Sequence, residues 1–109
     1  MGLFGWSRVL VRGPSMSPSL ADGDILLVRF GAQVRHGDVV LARWASRPGQ
    51  LSVKRAVRPT GNAWLVHGDN RFGSTDSREL GPASVLGVAR YRLWPAPCRL
   101  RRRSAPVNR

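Results

Sequence analysis

The sequence is short of nearly everything that would make its chemistry obvious. It has one cysteine, Cys98, in 109 residues. A lone thiol closes no internal disulfide, so the fold must rest on packing. Cys98 lies in Trp94-Pro95-Ala96-Pro97-Cys98 beside a basic run, with no neighbouring base to activate it as a nucleophile. There are two histidines, His36 and His67, and neither stands at metal-ligand spacing from the other or from Cys98. Neither a metal site nor a cofactor is expected. Acids are also scarce: six against 18 basic residues, for a net charge of +12. Such charge suits phosphates, but no helix-turn-helix, zinc-finger or aromatic RNA-binding box accompanies it. Nucleic acid is therefore not expected as a partner.

No apolar run is long enough to cross a bilayer. The longest candidate, residues 2–11, is interrupted by Arg8. It lacks a basic start and a small-residue cleavage site, so it makes a poor secretory signal. Its Leu3, Phe4, Trp6, Leu10 and Val11 permit peripheral contact with a membrane interface. Packing on the core as a first strand or turn is the preferred reading, and a cytoplasmic location is the expectation that goes with it.

Lysine is the scarcest basic residue. Of the 18 Lys-plus-Arg residues, only Lys54 is lysine. A composition that uses arginine wherever a fixed positive charge suffices has kept one side chain able to lose its proton when buried. A neutral amine can act as a base. One stray lysine on a surface strand is an equally good account until the neighbouring motifs are read.

What the sequence does contain is short strand-like runs between glycine and proline punctuation. Residues 25–30 are apolar and follow Asp22-Gly23-Asp24, and residues 39–45 follow His36-Gly37-Asp38. Over 51–57 the pattern alternates: Leu51, Val53, Arg55 and Val57 face one way, and Ser52, Lys54 and Ala56 the other. Further runs cover 63–66 and 85–94. No long helical period is present. These features predict an all-β domain over residues 1–95. Residues 96–109 read as a basic, disordered tail.

Three motifs lie on this framework. Gly13-Pro14-Ser15-Met16-Ser17-Pro18 is a restrained turn that can present the Ser15 hydroxyl and its backbone N–H to a carbonyl. Lys54-Arg55 sits in an apolar strand. Gly68-Asp69-Asn70-Arg71 leads into Ser74-Thr75-Asp76-Ser77-Arg78, where Asp76 and Arg78 can pair and a hydroxyl can orient a dry lysine. Each alone is a weak signal, and the Ser15 turn alone reads better as an ordinary serine-rich turn.

In this order, the three motifs resemble the boxes of the signal peptidase I-like Ser-Lys proteases. The resemblance spans roughly residues 10–94. It implies a catalytic β-fold of coiled antiparallel sheets, shared with the self-cleaving SOS-type repressors. It further implies Ser15 as nucleophile, Lys54 as general base, Ser74 as the hydroxyl that orients the base, and Asp76 and Arg78 as a structural ion pair. Met16 and Pro18 complete the nucleophile box. Some relatives carry a serine two residues before the nucleophile, where this chain has Gly13, so the oxyanion hole would rest on backbone alone. Signal peptidases usually carry a membrane helix and a larger body. The short form seen here is similar to the nickel-type superoxide dismutase maturation proteases of bacteria, which implies a precursor protein as partner and removal of its short leader. The alternatives are a short signal peptidase acting on secretory preproteins at a membrane, and a non-catalytic basic binding module of the same fold.

Overall fold

The computed structural model describes residues 5–103. Leu3 and Phe4 of the apolar N-terminal segment, and residues 104–109, lie outside that range. The described chain is all-β, with strands β1 (Trp6–Leu10), β2 (Ile25–Phe30), β3 (Val39–Arg43), β4 (Ser52–Thr60), β5 (Ala63–His67), β6 (Ser84–Trp94) and β7 (Cys98–Arg99). One short helix, α1 (Ser77–Leu80), stands before β6. The sheet is antiparallel in the order β1-β2-β6-β3-β4-β5, and β7 adds to β6.

The middle of the sheet explains its most apolar strand. In β3, Val39 and Leu41 point into one hydrophobic cluster, with Met16, Leu20, Leu26 and Val28. Val40 and Ala42 point into a second, with Trp44, Ala56, Val66 and Val88. A strand buried on both faces has no polar side to show, so its sequence runs apolar without alternation. β4 sits next to it, with Val40 opposite Lys54 and Val39 opposite Arg55. Because side chains alternate along a strand, Lys54 and Arg55 emerge on opposite faces. The alternation read from residues 51–57 therefore corresponds to the two sides of the fold.

Residues 6–11 form a packed element. β1 pairs with β2 from Trp6↔Arg29 to Leu10↔Ile25. Val11 is buried in the first cluster, and Val9 packs against it.

The expectation for the C-terminal segment needs correction. Residues 98–103 are docked rather than a free tail. Tyr91 and Arg92 pair with Arg99 and Cys98, the Leu100 N–H donates to the Arg90 carbonyl at 2.8 Å, and Leu100 packs on the first cluster. Arg102 then pairs with buried Asp38 at 2.8 Å. An arginine-rich composition suggested solvent, but one leucine and one buried carboxylate hold the segment down.

Candidate active site

Ser15 comes from the loop between β1 and β2. The loop turns tightly, with the Ser17 N–H donating to the Pro14 carbonyl at 3.0 Å and the Leu20 N–H to the Met16 carbonyl at 3.0 Å. Met16 is fully buried in the first cluster, so the turn is pinned from beneath while Ser15 stays half-exposed. Pro18 is exposed and follows a cis Ser17–Pro18 peptide bond. Gly13 has φ +79°, a left-handed conformation that disfavours a side chain, and its N–H donates to Asp22 Oδ1 at 2.7 Å. A serine at this position would have to be held in a strained backbone.

Asn70 ties the third motif to this turn. Its backbone N–H donates to the Ser15 carbonyl at 2.9 Å, and its side-chain Nδ2 donates to the Pro14 carbonyl at 3.1 Å. Gly68 completes the join. A Cβ there would lie 2.6 Å from the Ser15 carbonyl oxygen and would collide with the Ser74 side chain. The two loops can meet this closely only because residue 68 has no side chain. Sequence reasoning read Gly68 and Asn70 as turn formers and missed both roles. The signal available was an asparagine, able to donate and accept at once, directly after a Gly-Asp turn.

Lys54 lies on β4 and is buried. Its Nζ donates to Ser74 Oγ at 3.0 Å. Ser74 Oγ in turn donates to Asp76 Oδ2 at 2.7 Å. Asp76 is fully buried and heavily engaged. It accepts from the Gly68 N–H at 2.7 Å, from Arg78 Nε at 2.9 Å and from Arg78 Nη2 at 2.6 Å. It also caps α1 through the Arg78 N–H. The structure thus brings Lys54, Ser74, Asp76 and Arg78 into one chain of contacts.

The electrostatics follow from these partners. Burial would raise the Asp76 carboxyl, but hydrogen bonds from Arg78, the Gly68 N–H and Ser74 outweigh it and hold the group at about 2. It is a permanent anion at neutral pH. Lys54 is pushed below the ordinary lysine value, chiefly by burial; Asp76 opposes the shift and Arg78 adds to it. Asp76 is committed to Arg78 at 2.6 Å, and Lys54 reaches it only through the Ser74 hydroxyl. A dry amine with no direct carboxylate loses its proton more readily than one in an ion pair.

Ser15 and Lys54 line the same open cleft, of about 270 Å³, together with Val11, Val53, Gly73 and Thr75 among others. A hydroxyl and an amine pushed below the ordinary lysine value, facing one groove, can carry out nucleophilic chemistry on a carbonyl. On the far face of β4, Arg55 forms a buried pair with Asp69 at 2.6 Å. Sequence reasoning assigned Asp69 no distant partner, and the arginine next along the chain, Arg71, is exposed.

The other candidates stay apart from the cleft lining. Cys98 is exposed on β7. The His36 Nδ1 lies 2.6 Å from the Val57 carbonyl. Among the described residues, no three His, Cys, Asp or Glu side chains converge to hold a metal ion.

Residues 8–89 match the family model described as Peptidase S24-like. The chain is 34% identical to the mitochondrial ATP-independent inner membrane protease subunit 1a of Arabidopsis thaliana, over 82% of this chain and 71% of that protein. It is 31% identical to the mitochondrial inner membrane protease subunit 1 of Mus musculus, over 80% of this chain and 69% of that protein. It is also 34% identical to a signal peptidase I of Streptococcus pneumoniae, over 64% of this chain but 34% of that protein.

Proposed function

The chain belongs to the Peptidase S24-like family, and on that premise we propose that it is a serine endopeptidase that removes an N-terminal leader from a precursor protein, with Ser15 as nucleophile and Lys54 as general base. The observation that carries this reading is the buried Lys54 amine, held by Ser74 and lining the same cleft as Ser15.

Neutral Lys54 takes the Ser15 proton as Oγ attacks the scissile carbonyl carbon. The tetrahedral oxyanion is met by backbone N–H groups, that of Ser15 among them. Collapse expels the amine, which takes the proton from Lys54, and leaves a Ser15 ester. Lys54 then deprotonates a water that attacks the ester, which releases the new carboxylate and restores Ser15. Ser74 aims the amine, and the Asp76–Arg78 pair holds Ser74 in place.

For the substrate, we propose the precursor of a nickel-type superoxide dismutase. Support comes from how compactly the motifs are joined. Lys54 and Gly68 are linked by the β4–β5 hairpin alone, a compact arrangement beside the larger body a signal peptidase usually carries. Processing of such a precursor frees the terminal amine that a metal hook needs. This reading carries a cytoplasmic location with it, which cell fractionation tests. The alternative is cleavage of secretory preproteins at a membrane. It draws on the exposed Leu10, Tyr91, Leu93 and Trp94 and on the membrane proteases among the relatives. Among the described residues, no helix is long and apolar enough to cross a membrane.

The test incubates the nickel-enzyme precursor, and separately a secretory preprotein in vesicles, with wild-type protein and with Ser15→Ala. Mass spectrometry reads the new N-terminus. Trimming of the nickel-enzyme precursor by wild type and not by Ser15→Ala is the expected result. Cleavage of the preprotein alone would transfer the assignment to the signal peptidase reading. Equal products with Ser15→Ala would overturn the mechanism.

A further inference from the structure

The cleft wall carries charge that the catalytic reading leaves unused. Arg12 lines it from the segment between β1 and Ser15, and Arg47 and Gln50 line it from the β3–β4 turn. With Lys54 they make a lining that, among the described residues, includes no aspartate or glutamate. Nor does any described carboxylate pair with Arg12 or Arg47. The acids nearest in sequence are engaged elsewhere: Asp22 accepts from the Gly13 N–H, and Asp24 accepts from the Ala21 N–H and faces Arg92 at 3.8 Å. Asp38, Asp69 and Asp76 are matched to Arg102, Arg55 and Arg78. These acids are thus spent on other arginines and on backbone N–H groups, and Arg12 and Arg47, two of the several described arginines without a carboxylate partner, stand at the mouth of the cleft. Both are exposed, so their forks are free to meet a ligand.

We propose that Arg12 and Arg47 form an anion-recognising rim that selects precursor segments carrying an aspartate or glutamate close to the scissile bond. The proposal rests on the protease reading, because it takes the occupant of the cleft to be a peptide. A guanidinium offers two parallel N–H donors to a carboxylate, which fixes position as well as adding attraction. A wall with no competing acid lets that attraction act on the substrate alone. The partly enclosed cleft also screens the pair less than open solvent would.

The experiment uses matched peptides spanning a cleavage site, each neutral except for one aspartate moved position by position, with asparagine as reference. The readout is the aspartate-to-asparagine ratio of kcat/KM at low and high salt. The expected result is a ratio of about ten at one or more positions at low salt, shrinking as salt rises. In the double variant Arg12→Gln/Arg47→Gln the ratio falls to about one, and Arg12→Glu/Arg47→Glu favours a lysine peptide instead. Arg58→Gln, on an exposed arginine of β4 that does not line the cleft, keeps the wild-type ratio, which separates a local rim from net charge. A wild-type ratio near one at every position overturns the inference. Binding of the same peptides to Ser15→Ala by fluorescence anisotropy separates it from the reading beneath. Tighter binding of aspartate peptides, with none cleaved by wild type, supports the rim and overturns the protease assignment. Equal binding overturns the rim.

Discussion

Lys54 and Arg55 are neighbours on one strand, both buried, at 4% and 2% exposure, and the fold treats them in opposite ways. Arg55 is neutralised directly. Its fork meets both carboxylate oxygens of Asp69, at 3.2 and 2.6 Å, and its Nη1 reaches the Gly37 carbonyl at 3.0 Å. Among the described residues, Lys54 meets no carboxylate directly. A hydroxyl stands between it and Asp76, and Arg78 occupies that acid. Direct pairing fixes a charge in place, whereas one intervening hydroxyl leaves the charge removable. On the proposed reading the same strand carries a structural cation on one face and a base on the other, and residue type matches task, since guanidinium cannot give up its proton and an amine can.

The sharpest way to break this comparison is to remove each cation in turn. Lys54→Met keeps most of the length and the apolar stem of the side chain. It should abolish cleavage, by on the order of 10⁴-fold or more in kcat. It should also raise Tm, by about 5 °C at neutral pH. The folded-state pKa of Lys54 is lowered, so the unfolded chain holds that proton more tightly, and stability is drained as pH falls below the ordinary value of 10.5. An apolar residue removes that drain. Calorimetry beside a peptide assay checks both halves. A variant that is both active and less stable would mean Lys54 is a structural cation like its neighbour.

Arg55→Met should behave in the opposite sense. It leaves Asp69 buried beside an apolar side chain, with Arg103 at 3.9 Å as its remaining ion-pair partner. Breaking a buried pair in this way costs about 3–5 kcal/mol. Denaturant unfolding should show that loss, while kcat per folded molecule stays within about threefold of wild type, since Arg55 does not line the cleft. A stability change under about 1 kcal/mol would contradict the assignment.

A smaller effect should come from the hydroxyl between Lys54 and Asp76. Ser74→Ala removes the partner that aims the amine but leaves Asp76–Arg78 in place. We expect kcat to fall about a hundredfold, the scale of a small misplacement of a reacting group, with KM nearly unchanged. The pH profile carries the diagnostic. Wild-type kcat/KM should rise with pH through an apparent pKa below the ordinary lysine value, because only neutral Lys54 accepts a proton. Loss of the acceptor hydroxyl disfavours the ammonium, so that pKa should move lower still in Ser74→Ala. An unchanged profile would mean Ser74 does not orient the base.

Much of this contrast was legible in the sequence. The alternation of residues 51–57 put Lys54 and Arg55 on opposite faces, and the lysine was conspicuous by its rarity. The strand runs were legible because glycine and proline bracket them. What was hidden depends on contacts distant in sequence. Arg71 and Asp69 are close in sequence, yet Arg71 is exposed and the real partner lies on β4. Helix α1 spans four residues, too few for any period to show, and its start is set by the Asp76 cap. The docking of residues 98–103 depends on Leu100 and on an Arg102–Asp38 pair 64 residues apart. No local pattern announces such a pair amid a run of arginines.

The smallest expected effect concerns acid, and it compares the two buried carboxylates that serve these cations. Asp76 is held at about 2 against an ordinary value of 3.8, although its burial acts the other way. Asp69 is lowered as well, its burial outweighed by the Arg55 hydrogen bonds and charge. A carboxyl whose folded value is depressed stabilises the fold fully above its unfolded value, and that contribution is lost as pH falls through the folded value. For Asp76 the window therefore runs from about pH 4 down to about pH 2. Unfolding free energy measured in denaturant across this range should decline with falling pH as the unfolded chain takes up protons that the folded carboxylates refuse. Asp76→Asn lowers the whole curve, because Arg78 loses its partner, but it should flatten the slope by up to one proton. Asp69→Asn should flatten it too, and the double variant should remove most of the decline. Retention of the full wild-type slope in the double variant would mean that other acids carry the linkage. The site would then owe its low-pH fragility to something other than the two carboxylates that set a fixed cation and a removable one side by side.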